Sequence, residues 1–236
     1  LIGQVAAHIG EIGVAGENDL VATIYLIGVS RLLDRPLSAI VRGTSSSGKS
    51  YTLEKVAELF PPETKIMAKQ MTPQALMHMP PGSLSHRWIV GGERSRKEND
   101  DTAEATRALR EMQSSGRLSK LMPIKVDGGI QTILIEQDGP IAYCETTTLG
   151  KIFDEDANRS LLLQTDESPE QTRRIMMAAA RKHTEPSEGV DRLIQVHHAL
   201  QRMLPRGVKV VVPYADRIAR EFPEERVEAR RAFVQL

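Results

Sequence analysis

Residues 43–50 read Gly43-Thr44-Ser45-Ser46-Ser47-Gly48-Lys49-Ser50 and match every fixed position of the phosphate-binding loop pattern G-x-x-x-x-G-K-[ST]. The apolar run at residues 37–41 predicts a short strand before the loop, and residues 51–60 predict a helix that ends at Pro61-Pro62. In this order of elements, backbone N–H groups and the positive end of a helix can bind a polyphosphate. A flexible serine-rich turn would explain neither the lysine nor the strand.

The pattern also assigns roles within the loop. Lys49 would reach the β- and γ-phosphates, and the Ser50 hydroxyl would bind Mg²⁺. ATP and Mg²⁺ are therefore the predicted cofactors. The residues predicted to bind the nucleotide are Gly43, Thr44, Ser45, Ser46, Ser47, Gly48, Lys49, Ser50 and Tyr51.

ATP hydrolysis also requires a carboxylate at the end of a neighbouring strand to orient the attacking water. The run Arg87-Trp88-Ile89-Val90-Gly91-Gly92-Glu93 is the one good candidate, and it predicts Glu93 as the residue that polarises the water. The usual acid before it is missing because Gly92 stands there. Magnesium would then be held by Ser50 with water or another acid. Alternatively, Glu93 pairs with Arg94 or Arg96 on an exposed loop.

Strands alternate with helices along much of the chain, which predicts an α/β fold with a mostly parallel sheet covered on both faces. A hairpin is predicted where Asp127-Gly128-Gly129 joins two strand-like runs. A boundary near Thr184 separates residues 1–184 from residues 185–236. The predicted strands cover residues 37–41, 65–68, 88–90, 118–126, 130–136, 141–146 and 161–164. The predicted helices cover residues 18–33, 51–60, 72–77, 101–115, 170–182 and 190–204, with two more after Pro213.

The composition excludes several classes of protein. Lys plus Arg equal Asp plus Glu at 31 each, so any site for nucleic acid must be local. Cys144 is the single cysteine among 236 residues, which excludes an internal disulfide and fits a cytoplasmic protein. The longest apolar stretch, residues 20–29, is about half of the length that a membrane span needs. No membrane association is predicted.

These features together resemble an AAA+ ATPase of the helicase branch, and within it the ATPase domains of primase-associated, minichromosome-maintenance-like helicases of bacteria and mobile elements. The likeness covers about residues 18–182. Besides the loop and Glu93, it depends on four segments: the hairpin at residues 118–137, Cys144-Glu145-Thr146-Thr147-Thr148, Asn158-Arg159 and Glu170-Gln171-Thr172-Arg173-Arg174. The resemblance implies a three-layer P-loop core, a hairpin inserted before the first sensor, and a helical lid or the start of a further module in residues 185–236.

The resemblance also implies functional roles outside the loop. Thr147 would sense the γ-phosphate and hold the lytic water, unless it is only a polar strand end. Arg159 resembles an arginine finger that reaches the nucleotide of the neighbouring subunit, which implies a homo-oligomeric ring, here a hexamer. Its alternative is a surface ion pair with an acid in residues 154–156. Arg173 or Arg174 resembles the second sensor, and a charged helix face is the alternative.

The hairpin has a specific meaning in this resemblance. Ring helicases direct such a hairpin into the central channel, where Lys120 and Lys125 would contact DNA phosphates without reading sequence. The tip carries no aromatic residue for base stacking, and Asp127 there disfavours DNA. The other interpretation is an exposed β-ribbon that packs on a partner.

Three functions are consistent with these patterns. The first is a ring-forming ATPase motor, a DNA helicase or translocase in replication, with active sites between subunits. The second is a P-loop ATPase that acts as a nucleotide-controlled switch or remodeller of partner proteins in a mobile-element or defence system. The third, a small-molecule kinase, leaves the hairpin, Arg159 and the C-terminal helices without a role. His197 and His198 are assigned no function.

Overall fold

The computed structural model describes residues 2–71, 75–94, 100–184, 189–222 and 229–234. Its strands are β1 (Ser38–Arg42), β2 (Lys65–Ala68), β3 (Arg87–Glu93), β4 (Arg117–Val126), β5 (Gly129–Asp138), β6 (Ile141–Thr147) and β7 (Leu161–Gln164). Its helices are α1 (Ile2–Glu11), α2 (Asn18–Ser30), α3 (Lys49–Glu58), α4 (Asp100–Ser115), α5 (Asp154–Ala157), α6 (Pro169–Thr184), α7 (Val190–Met203), α8 (Ala215–Glu221) and α9 (Ala229–Val234).

Five of these strands form one sheet in the order β2-β3-β6-β1-β7, and every neighbouring pair in it is parallel. Strands β4 and β5 form a separate antiparallel hairpin. The prediction of an α/β fold with a parallel sheet, a hairpin insertion and C-terminal helices is confirmed. Strand β1 lies between β6 and β7. Strands β2, β3 and β6 lie on one side of it, and β7 lies on the other. Open parallel sheets bind ligands beside the carboxyl ends of the strands where the strand order reverses in this way.

Apolar side chains cover both faces of the sheet because successive residues of a strand point to opposite faces. Trp88 and Val90 of β3 belong to a core with buried residues of α1, α2 and α3. Ile89, between them, belongs to a second core with Leu109 and Met112 of α4. The sheet thus has a hydrophobic core on each face.

Helix α1 was not predicted from the sequence. Its buried residues Val5 and Ile9 are four apart, which places them on one face of the helix against the first core. Of the predicted helix at 72–77, residues 72–74 lie outside the described part of the chain, and Ala75 to Met77 form a turn. Within the described residues, no helix is both long and apolar enough to cross a bilayer.

A buried polar cluster joins α7 to α1 and α2. The imidazole of His197 contacts two side chains, His8 at 2.9 Å between Nε2 and Nδ1, and the Tyr25 hydroxyl at 3.2 Å from Nδ1. Gln201 donates to the same hydroxyl at 2.9 Å and accepts from Arg31 at 2.8 Å. Buried polar groups need such partners, so the cluster fixes how α7 lies on the N-terminal helices. Residues 185–188, directly after the predicted boundary near Thr184, lie outside the described part of the chain.

Candidate nucleotide site

The glycine-rich loop leads from β1 into α3 at the carboxyl edge of the sheet. Gly48 has φ of 88° and Ser46 has φ of 68°, so both lie in the left-handed region. The conformation is costly for a serine, and backbone strain of this kind concentrates at ligand sites. Lys49 is buried, and its Nζ donates to the carbonyl oxygens of Gly43 at 2.9 Å and Thr44 at 2.6 Å. The ammonium group is therefore held inside the curve of the loop.

The segment between β7 and α6 packs on this loop. The Thr165 hydroxyl donates to Ser47 Oγ at 3.0 Å, and a Cβ on Gly43 would collide with both hydroxyl oxygens. Gly43 is therefore needed for close approach. Nearby, Glu167 Oε1 accepts a hydrogen bond from the Thr44 N–H at 2.5 Å. The segment that leads into α6 is thus joined to the phosphate loop.

A cleft of about 240 Å³ opens beside the loop, between α3 and the ends of β2 and β3. Ser50, Glu93 and Thr146 line it together with Glu54. The Thr146 hydroxyl is buried and has no hydrogen-bond partner among the described residues. Buried polar atoms usually have a hydrogen-bond partner, so this hydroxyl fits a site that binds a polar group.

Glu93 lies at the end of β3, level with Thr146 of the adjacent β6. Its Oε1 accepts a hydrogen bond from the Thr148 hydroxyl at 2.7 Å. The carboxylate is exposed and lines the cleft that also contains Ser50. The sequence assigned Glu93 and Ser50 separate roles on independent grounds, and the fold brings both residues to one cleft.

Glu54 is a second carboxylate in this cleft, and it was not singled out from the sequence. It follows Ser50 by four residues, so both side chains lie on one face of α3. That spacing is the feature of the sequence that could have identified Glu54 as a residue of the site. Lys69 Nζ lies 3.8 Å from Glu54 Oε1 in an exposed pair.

The absence of an acid at position 92 has a steric cause. A Cβ on Gly92 would collide with the backbone carbonyl of Lys69 at the end of β2. No side chain fits there while β2 and β3 keep this spacing. Among the described residues that line the cleft, the carboxylates beside Ser50 are those of Glu54 and Glu93.

These residues fit Mg²⁺ as a nucleotide-bound ion. Mg²⁺ is typically held by one or two carboxylates or hydroxyls together with substrate phosphates and water, rather than by a complete protein cage. The Ser50 hydroxyl and a carboxylate of Glu54 or Glu93 supply such a partial set. Accordingly, the described residues contain no group of three or more His, Cys, Asp or Glu side chains that could hold a metal alone.

Thr147 lies at the end of β6 but differs from its neighbour Thr146 in environment. Its side chain is fully buried, and its Oγ1 accepts a hydrogen bond from the Leu149 N–H at 3.1 Å. Successive residues of a strand point in opposite directions, so Thr146 rather than Thr147 lines the cleft beside Glu93.

In the alternative interpretation Glu93 pairs with Arg94 on an exposed loop, but Arg94 binds two other carboxylates. Its guanidinium binds Glu145 Oε1 and Asp156 Oδ2, each at 2.5 Å. Burial alone would lower the pKa of Arg94, but the two carboxylates outweigh burial and raise it above its usual value. Arg96, the other partner considered for Glu93, lies outside the described residues.

Arg159 lies at the opposite edge of the sheet from the phosphate loop of its own chain. It precedes β7, whose first residue Leu161 is level with Ala39 of β1. Gly43 is four residues further along, about 13 Å at the rise of a strand. Arg159 Nε donates to Ser114 Oγ at 3.1 Å, and Nη1 donates to the Glu155 carbonyl oxygen at 2.5 Å. The contact with Glu155 is thus to its backbone.

Arg173 and Arg174, the two candidates for the second sensor, are adjacent on α6. Arg174 binds Asp166 at 3.0 Å and Gln171 at 2.7 Å. Both arginines line a surface cleft of about 520 Å³ together with Ala15. Both arginines follow the segment that contacts the phosphate loop.

Tyr51 is the first residue after the loop pattern. Its hydroxyl donates to the Gly13 carbonyl oxygen at 3.1 Å, and 42% of the residue is exposed. Tyr51 therefore connects the start of α3 to the link between α1 and α2.

The two lysines of the hairpin lie on opposite faces of the ribbon. Lys120 is opposite Ile135 and Lys125 is opposite Ile130, and positions an odd number apart on one strand point to different faces. Lys125 is exposed near the tip, whereas Lys120 is half-buried midway along the ribbon. The face that contains Lys125 also exposes Leu121 and Leu134.

No protein-family model matches this chain, and no curated protein sequence matches it significantly.

Proposed function

We propose that this protein binds ATP with Mg²⁺ and hydrolyses it as an AAA+ motor of the helicase branch, with active sites between subunits. The observation that carries the proposal is the convergence of Lys49, Ser50, Glu93 and Thr146 at the carboxyl edge of β1, β3 and β6. A strained glycine-rich loop, a buried lysine and an exposed carboxylate beside a serine hydroxyl form a consistent phosphate site.

Each residue has a definite task in this proposal. Lys49 exchanges the carbonyl oxygens of Gly43 and Thr44 for phosphate oxygens and offsets their charge. Glu93 accepts a hydrogen bond from the attacking water and orients it toward the γ-phosphorus. Thr146 lines the same cleft, and its hydroxyl, which has no hydrogen-bond partner among the described residues, would bind that water or a phosphate oxygen. When bound beside Ser50, Mg²⁺ would neutralise charge on the β- and γ-phosphates.

The position of Arg159 supports catalysis between subunits. Leu161, two residues after Arg159, is level with Ala39, which is about 13 Å along the strand direction from Gly43 of the loop. Arg159 would therefore serve the nucleotide of an adjacent chain. A guanidinium delivered in this way stabilises the charge of the transition state. Arg173 or Arg174, on the helix joined to the phosphate loop, would add a second cation. A DNA helicase or translocase in replication is the activity that the resemblance favours.

One observation favours the second candidate, an ATPase that remodels partner proteins. The exposed face of the hairpin combines Leu121 and Leu134, which are directly opposite each other and 68% and 54% exposed. Apolar side chains on an exposed ribbon fit a protein surface better than a phosphate backbone. This candidate keeps the ATP site and changes only what the hairpin contacts.

The test is steady-state ATP hydrolysis against protein concentration, with and without single-stranded DNA. Wild type, Lys49→Ala, Glu93→Gln and Arg159→Ala would be compared, with Lys151→Ala as an exposed-lysine control. We expect specific activity to rise with concentration, to increase with DNA, and to be lost in the three site variants only.

The outcomes separate the candidates. Concentration-dependent hydrolysis without any response to DNA would favour the remodeller. Hydrolysis that is independent of concentration and unaffected by Arg159→Ala would contradict catalysis between subunits. An absence of ATP binding by wild type would overturn the proposed function.

A further inference from the structure

A network of buried charges connects the strand that ends in Glu93 with the segment that carries Arg159. Arg94 is at its centre, followed by Glu145 on β6, Asp156 on α5 and Arg110 on α4. Relative exposures of these side chains are 15%, 8%, 5% and 24%, in that order. Two cations face two buried anions, and Arg110 also pairs with the exposed Glu155 at 2.5 Å.

The contacts form a continuous path. The Arg94 N–H donates to the Thr146 carbonyl oxygen at 2.8 Å, which fixes its backbone against β6 beside the cleft. Its side chain donates to Glu145 Oε1 through Nε at 2.9 Å and Nη2 at 2.5 Å, and to Asp156 Oδ2 through Nη1 at 2.5 Å. One planar guanidinium thus binds two carboxylates from different elements, which a lysine ammonium would do poorly.

Asp156 continues the path to Arg159. The Arg159 N–H donates to the Asp156 carbonyl oxygen at 3.0 Å, and the Arg159 guanidinium donates to the neighbouring Glu155 carbonyl oxygen. The position of Arg159 therefore depends on how α5 is held. Arg110 holds Asp156 from the other side through Oδ1 at 2.5 Å but lies on α4, away from β3.

Stability alone is a weak explanation for such an arrangement. Desolvation of buried ion pairs often cancels their attraction, and apolar residues of the same size can replace them without loss. Burial raises the pKa of Glu145 although Arg94 opposes that effect, so burying this carboxylate as an anion is unfavourable. What the network does provide is a fixed geometric link between β3 and α5.

We propose that Arg94 is a positioning residue that couples the two catalytic elements of one chain. Through Asp156 it ties the cleft containing Glu93 to Arg159, so that the nucleotide state of one site changes the arginine offered to the next. The inference rests on the proposed function. It adds a mechanism by which successive ATP sites influence each other.

The test uses mixed oligomers. Glu93→Gln subunits would be mixed in increasing proportion with subunits that hydrolyse ATP, and the activity of the mixture measured. A Glu93→Gln subunit keeps its Arg159, so in an uncoupled assembly the activity falls in proportion to the inactive fraction. Coupled sites give a steeper fall, because a stalled site also impairs its neighbour.

The series would be made with wild-type subunits and with Arg94→Lys in both components, which keeps the charge but removes the second carboxylate contact. Arg110→Lys in both components is the matched control, since it alters the grip on Asp156 without touching β3. Thermal unfolding of each variant checks that all are folded. We expect a steep curve for wild type and Arg110→Lys, and a proportional one for Arg94→Lys.

Three results would overturn the coupling. These are a proportional curve for wild type, an unchanged steep curve for Arg94→Lys, or the same flattening in Arg110→Lys, which would indicate simple support of α5. If wild type shows no concentration-dependent hydrolysis, the proposed function fails first, and the inference fails with it. If hydrolysis is present and only the curves disagree, the inference alone fails.

Discussion

The carboxylate of Glu167 accepts a hydrogen bond from the Thr44 N–H of the phosphate loop, with 2.5 Å between Oε1 and N. An acid thus stands beside the loop that would bind the most highly charged part of ATP. Its charge would oppose the polyphosphate, although the contact also helps to order the loop.

Replacing Glu167 is therefore expected to strengthen nucleotide binding. For Glu167→Gln we expect a Kd for ATP lower by about two- to five-fold, the range of one exposed charge pair, and a smaller gain at high salt. Titration of a fluorescent ATP analogue measures it. Glu170→Gln makes the same charge change on the adjacent helix, and an equal gain there would show a general charge effect. Weaker binding by Glu167→Gln would mean that ordering the loop matters more.

Position 92 is expected to reject every side chain. Gly92→Ala should destabilise the fold by about 1–3 kcal/mol, because its Cβ collides with the Lys69 carbonyl oxygen and β2 must shift. Differential scanning fluorimetry should show a lower Tm. Gly150→Ala is the control, since a Cβ there contacts nothing within 4 Å. Gly92→Asp should also fail to increase hydrolysis. Equal Tm values for Gly92→Ala and wild type would show that the two strands can separate at no cost.

The stability of the fold should decrease in mild acid because of His197. Burial, with His8 and His198 nearby, lowers the pKa of His197 to about 4 from an ordinary value of 6.5. The unfolded chain therefore binds a proton more readily than the folded chain between these values. The contribution is fully present above pH 6.5 and is lost as the pH falls toward 4.

Thermal unfolding between pH 7.5 and pH 5 would measure this loss. His197→Gln should have a flatter pH dependence, although it is less stable at neutral pH because contacts with His8 and Tyr25 are lost. His78→Gln, at an exposed position, should keep the wild-type slope. Parallel slopes for His197→Gln and wild type would exclude His197 as the cause.

The hairpin lysines should differ if the ribbon contacts DNA. Lys125→Ala removes an exposed charge near the tip and should weaken binding equally for all sequences, reducing the salt slope by about 1. Lys120→Ala, on the other face and half-buried, should change binding less. Fluorescence anisotropy at several salt concentrations would measure both, with Lys151→Ala as the control. No change in any variant would direct attention to the apolar face of Leu121 and Leu134.

Local patterns predicted the parts of the fold that depend on neighbours in sequence. The strand at 65–68 and the strand at 161–164 have the predicted bounds because short apolar runs end at turn residues. The hairpin follows from Asp127-Gly128-Gly129, since Gly128 and Gly129 adopt positive φ at the turn. Position 43 was identified as a glycine site from its pattern alone.

Contacts between segments that are distant in sequence could not be predicted from local patterns. The reason for Gly92 is the carbonyl oxygen of Lys69 on another strand, which no local pattern encodes. Arg94 and Asp156 are 62 positions apart, and their ion pair exists only after β3 and α5 have been brought together. The sequence prediction named Thr147, whereas Thr146 lines the cleft, because the side of the sheet that a strand residue faces is fixed only when the sheet forms.

The separation of Arg159 from the phosphate loop has a consequence for assembly. If Arg159 of one chain acts on the nucleotide of the next chain, as proposed, the chains associate head to tail. An open row of chains then has an unused Arg159 at one end and an unused nucleotide site at the other. Only closure uses all of them. Maximal ATPase activity would then require a closed ring, and one defective subunit would lower the activity of the whole assembly.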